Sequence, residues 1–175
     1  MESTNIYDIL LKEGKPKEEI LHILQERSRD NSRTPMQWDS SPNAGFTTGT
    51  PWLGVNENYP EINAEQALAD PDSVFYFYQK LIRLRKESPV VQEGRFLPLL
   101  EKHPRIFAFE RKLEGEGGGS LLVFCNFYGT EAECEPGVSL GGYGKILGNY
   151  PETGGAVDGA GKLQLKPYEV VVLEK

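Results

Sequence analysis

The chain has 175 residues, enough for one full domain or two small ones around a real hydrophobic core. Its 26 acidic against 19 basic side chains leave a net charge of -7, a field that repels phosphate backbones and anionic lipid, so nucleic-acid and membrane-surface partners are disfavoured. No run approaches the roughly 18 to 20 apolar residues of a membrane span. The opening MESTNIYDILLKEG has neither a basic n-region nor a signal-peptide core, so a cytoplasmic protein is expected. The two cysteines, Cys125 and Cys134, show no CxxC spacing and no neighbouring histidine, which points to buried reduced thiols. No metal and no cofactor is expected.

Residues 5–28 read as two short helices. Thr4 or Asn5 can cap the first, Gly14 can end it, and Pro16 stands where the second begins. Residues 28–63 are rich in Asn, Ser, Thr, Gly and Pro with no sustained period. A long irregular run inside a compact domain is uncommon unless it is functional. Asn63 followed by Gln66 is a capping-box pattern, and Asp70-Pro71 predicts a longer helix over 71–87. In it Val74, Phe77, Tyr78, Leu81 and Leu84 recur at three and four residues, with Phe75 and Ile82 widening the stripe, so the helix should pack against something large.

After Ser88-Pro89 the period falls to about two. FLPLL, RIFAFERKL, SLLVFCNF, TEAECE, YGKILGNY, KLQL and YEVVVLE are short β-rich runs separated by Gly, Pro and Asn. They predict an antiparallel Greek-key sandwich with a Leu/Phe/Val core, in which residues 115–120 make a hairpin loop and GNYPETGGAVDGAG a second long connection.

The densest polar chemistry is SRDNSRTPMQW, residues 28–38. Planar guanidinium and amide groups bridging neighbouring hydroxyls, with Trp38 and Trp52 available for stacking, suit a sugar site. The competing reading is a structural network in which Arg29, Asp30 and Arg33 pin a long loop. Sugar hydrolysis needs two facing carboxylates, roughly 5 Å apart for retention. Asp30, Asp39, Glu57 and Glu61 lie in the polar stretch, but nothing around them in the sequence encloses a carboxyl in apolar surface. His22 and His103 lack a nearby nucleophile pattern and read as structural. The run Val74-Phe75-Tyr76-Phe77-Tyr78 has helical spacing and reads as core packing.

Three ordered segments, SRDNSRTPMQW, NAGFTTGTPWLGVNENYPEIN and ALADPDSVFYFYQKLIRLRK, resemble the α-glucosidase branch of the family 13 glycoside hydrolases, the α-amylase superfamily. The resemblance runs from about Ser3 to Glu174. It implies an α+β chain: residues 1–88 as the C-terminal portion of a catalytic (β/α)₈ barrel, its last loop and helix, and residues 89–175 as the antiparallel β-sandwich called domain C. It also implies retaining hydrolysis through a covalent glucosyl intermediate, with the Asp nucleophile, Glu acid/base and second Asp all upstream, so that this chain alone is expected to be inactive. Its partners would be the remaining barrel portion of the same enzyme and an α-glucoside disaccharide or oligosaccharide. By the motif RDN-x-RTP, Arg29 is expected to reach the non-reducing glucose, while Asp30, Arg33, Gln37 and Trp38 support it. Ser32, the ESTNIY opening and ALADPDSVFYFYQKLIRLRK are most similar to the trehalose-6-phosphate hydrolase group of the branch, with oligo-1,6-glucosidase or dextran glucosidase as the alternative. A rival of another class is a non-catalytic sandwich module that binds carbohydrate or another protein. Such a module has no reason to carry the apolar helix at 71–87.

Overall fold

The computed structural model describes residues 2–150, 156, 157 and 162–175. Helices come first and an antiparallel β-structure follows, an α+β order. The chain divides into two compact units, Met1–Tyr76 and Phe77–Lys175.

The first unit holds α1 (Glu2–Lys12), α2 (Lys17–Arg27) and α3 (Ala64–Ala69), and the start of α4 (Val74–Glu87). Gly14, at φ 84°, ends α1: its N–H donates to Leu11 O at 3.1 Å and that of Lys15 to Leu10 O at 3.1 Å, the paired bonds of a Schellman stop. Only a residue without a β-carbon takes that conformation cheaply. Ile20 of α2 is fully buried, whereas Ile9 and Leu11 of α1 are exposed.

Asn63 caps α3 as expected, its side chain accepting from Gln66 N at 2.9 Å. The predicted start of the next helix at Pro71 is corrected. Asp70 Oδ1 accepts from Asp72 N at 2.9 Å and Ser73 Oγ donates to Ala67 O at 2.6 Å, so residues 70–73 form a turn and α4 begins at Val74. The aspartate folds its carboxylate onto the nearby backbone instead of opening a helix. No residue of α4 is buried: Val74 is 79% and Tyr78 63% exposed, so the apolar stripe read as core packing is largely open.

In the second unit a short helix absent from the sequence reading, α5 (Pro89–Glu93), follows α4; Ser88 caps it by accepting from Val91 N at 3.3 Å. The strands are β1 (Arg95–Leu99), β2 (Ile106–Leu113), β3 (Gly119–Asn126), β4 (Ala132–Cys134), β5 (Gly144–Gly148), β6 (Ala156–Val157), β7 (Leu163–Leu165) and β8 (Val170–Glu174). All seven predicted runs contain one. The connection GNYPETGGAVDGAG falls mostly outside the described residues.

Two antiparallel sheets result, one ordered β1-β2-β3-β8-β5 and one β4-β7-β6. Alternation decides the faces. Ile106, Ala108, Leu122, Phe124, Val171 and Leu173 of the larger sheet pack on Ala132, Cys134, Leu163 and Leu165 of the smaller, which is the core of the sandwich. On the opposite face of the larger sheet Leu121 and Val172 meet Val90 of α5 and Leu84 of α4. Gly115 and Gly117, at φ 98° and 75°, make the β2–β3 loop at the glycine cluster where a hairpin was expected.

Candidate functional site

The polar segment after α2 is built around one turn. Residues Arg29–Ser32 form a single 3₁₀ turn capped by Ser28, whose hydroxyl accepts from Asp30 N at 3.3 Å. Ser3, 27 residues earlier, donates to Asp30 Oδ2 at 2.6 Å and lies 2.7 Å from Ser28 Oγ. Arg33 Nη1 stands 3.8 Å from Asp30 Oδ1, and Ser32 Oγ donates to Arg29 O at 3.0 Å. Asp30 is thus the hub of the turn, holding α1 through Ser3 and the chain ahead through Arg33. Arg29, at the first position of the turn, is exposed. The network reading made for Arg29, Asp30 and Arg33 is seen directly in the contacts of Asp30 with Ser3 and Arg33.

Gln37 and Trp38 belong to a second cluster. Their carbonyls accept from the first two amides of α3, Ala64 N to Gln37 O at 2.9 Å and Glu65 N to Trp38 O at 3.0 Å. With the Asn63 cap, three of the helix's otherwise unpaired N–H groups are satisfied. The Gln37 side chain donates to Asn58 Oδ1 at 3.1 Å and also to Ile62 O. Both residues tie the irregular stretch to α3, while the Trp38 ring is about half exposed.

Beyond Trp38 the backbone turns back through three residues at positive φ, Asn43, Ala44 and Gly45, so that Trp38 N donates to Ala44 O at 2.9 Å. Ala44 is fully buried. A β-carbon at Gly45 would stand 2.5 Å from Asp39 Oδ2, which only glycine avoids. Asp39 accepts from Ser41 N at 2.8 Å and from the Ser41 hydroxyl, bonds that hold its carboxyl below the ordinary range. A general acid of glycoside hydrolysis needs the opposite shift. Glu57 and Glu61 are exposed to water. Among the described residues no three His, Cys, Asp or Glu side chains are grouped to hold a metal ion.

Ser3 and Gly45 were not singled out by sequence reasoning, and Asp39 was weighed there only as a candidate carboxylate. Ser28 opened the polar segment and had the residue type of a cap, a signal that could have found its capping role. The partnership of Ser3 with Asp30 spans 27 positions and leaves no short-range pattern.

The family described as Alpha amylase, catalytic domain matches residues 2–94, more than half of the chain and all of the segment just described. The chain belongs to the α-amylase family. Two curated relatives stand at the same identity: the oligo-1,6-glucosidase of Halalkalibacterium halodurans and the trehalose-6-phosphate hydrolase of Bacillus subtilis, each 46% identical over 175 residues, 98% of this chain and 30% of theirs. Among solved structures, the trehalose-6-phosphate hydrolase of Bacillus licheniformis superposes with a TM-score of 0.86 at 44% identity, over 99% of this chain and 31% of that one. This α-amylase family chain thus spans about 30% of the length of the curated relatives it matches. No helix among the described residues is long and apolar enough to cross a membrane.

Proposed function

We propose that the chain is the C-terminal part of a retaining α-glucosidase that hydrolyses trehalose 6-phosphate to glucose and glucose 6-phosphate, and that it supplies one substrate contact while the catalytic carboxylates lie elsewhere in the enzyme. Residues 1–88 belong to the (β/α)₈ barrel in this reading, and residues 89–175 are the sandwich domain C. Arg29 carries the contact. It is exposed at the first position of a turn that Ser28 caps and whose Asp30 is engaged by Ser3 and Arg33, so its guanidinium sits on a held backbone. A planar fork with several donors suits adjacent sugar hydroxyls. Asp30, Arg33, Gln37 and Trp38 act as its support through the bonds already described.

The trehalose-6-phosphate assignment draws on Ser32 in RDNSRTP and on the match to two hydrolases of that name, at 46% and 41% identity. A second reading, oligo-1,6-glucosidase, is favoured by the equal 46% identity to the Halalkalibacterium halodurans enzyme. Assaying the enzyme that contains this chain on trehalose 6-phosphate and on isomaltose separates the two. Preferential release of glucose 6-phosphate is expected, with the anomer first seen by proton NMR being α. Preference for isomaltose replaces the substrate assignment, and a β-anomer ends the retaining one.

A further inference from the structure

Among the described residues β4 pairs only with β7, which leaves the other edge of its backbone without a strand partner there. Two side chains from the β1–β2 connection close it. Arg105 Nη1 donates to Glu131 O at 3.2 Å and to Thr130 Oγ1 at 3.0 Å, and His103 Nε2 lies 3.2 Å from Glu133 O. The two carbonyls are two residues apart, the period at which one strand edge presents its groups.

The ring's contacts fix its proton. A carbonyl only accepts, so Nε2 donates to Glu133 O. Nδ1 faces two backbone donors, Ile106 N at 2.8 Å and Arg105 N at 3.3 Å, so it accepts. Only the neutral imidazole with its hydrogen on Nε2 meets all three demands. We infer that His103 is a proton-sensitive clasp on the edge of β4, closed by this neutral tautomer and opened when a second proton on Nδ1 is set against the N–H groups of Ile106 and Arg105.

Glu101, Lys102 and Arg105 share the connection with His103; Glu131 and Glu133 flank it from the β4 side, where Lys162 Nζ pairs with Glu133. An arginine stays charged throughout, so its half of the edge cover is indifferent to pH. Opening the clasp releases Glu133 O on the exposed side of β4 and loosens the turn that leads into β2.

The test uses the chain as it is. Long-range nitrogen–proton NMR of the imidazole at pH 8 should show the hydrogen on Nε2. The amide protection factor of Ile106 should then fall roughly three- to tenfold once Nδ1 takes its proton in a titration from pH 8 toward about 5, the worth of one hydrogen bond. His103→Asn supplies the control, since its amide oxygen can accept from the same two backbone groups without titrating. Its Ile106 protection should stay level over that range. A hydrogen on Nδ1 at pH 8, or the same pH response in His103→Asn, overturns the inference.

Discussion

Arg29 and Arg33 lie four positions apart and face different tasks. Arg33 reaches Asp30 at 3.8 Å with both side chains partly exposed, an arrangement of small worth by itself, and its effect is to steady the turn. Arg29, in the proposed role, holds glucose hydroxyls as the ring flattens toward its transition state, so its loss should appear mainly in kcat/KM. Charge-assisted hydrogen bonds contribute about 1.5 to 3 kcal/mol, hence a roughly ten- to hundredfold fall for Arg29→Ala in the enzyme that contains this chain. Lysine should rescue poorly, because a point charge lacks the fork. Arg33→Ala should chiefly lower Tm. Full kcat/KM in folded Arg29→Ala removes the assignment. The thiols give a second check at this scale. Burial pushes both Cys125 and Cys134 up to about 11, with the Glu133 carboxylate adding to the effect at Cys134. They are free, as their sequence spacing suggested, and at pH 8 they hold their protons. Iodoacetamide should label the native chain slowly and the denatured chain fast. The sign for stability follows: the raised folded pKa leaves their contribution intact below pH 9, and it is lost as pH rises from 9 toward 11. Rapid native labelling at pH 8 would contradict this.

Among the elements, those set by neighbours in sequence were legible and those set by distant partners were not. Gly14 and Pro16 frame the α1–α2 break because each acts through its own backbone. Asn63 caps α3 through a group three residues away, again a local event. The carbonyls of Gln37 and Trp38 reach that same helix end from 27 positions upstream, and no pattern announces them. Asp70-Pro71 misleads for a related reason: the side chain of Ser73 bonds Ala67 O, so the turn closes back on α3 and delays α4 to Val74. The short α5 went unseen because Val90 and Val91, which favour strands, are held in a helix by the Ser88 cap and by packing on Leu121 and Val172. The cap of α3 is testable. Asn63→Ala should cost about 1 kcal/mol, read as a lower midpoint in urea with unchanged slope, whereas Asn63→Ser should cost less. Equal loss in both variants would mean that the Asn63 amide acts mainly through its other bond, to Tyr59 O.

For the molecule as a whole, the sandwich was readable because seven short β-rich runs recur with a period near two and because Phe124, Leu122, Leu163 and Leu165 all fall on inward positions. The candidate site was readable in part. Its motif segment stands out by composition, yet the assignment of roles within it came from resemblance, since the hub at Asp30 depends on Ser3 and Ser28. Of the carboxylates weighed in the polar stretch, Asp30 is engaged by Ser3 and Arg33, Asp39 has its carboxyl lowered by its bonds to Ser41, and Glu57 and Glu61 are exposed, so none is set up as a glycosidase acid. The central claim is therefore a division of labour, with a substrate contact and a scaffold in this chain and bond cleavage supplied by residues outside it. Incubating the purified chain with nitrophenyl α-glucoside, isomaltose and trehalose 6-phosphate tests that claim most directly. Release of glucose or nitrophenol no faster than in buffer is the result the division predicts, and turnover that follows the protein through successive purification steps would contradict it.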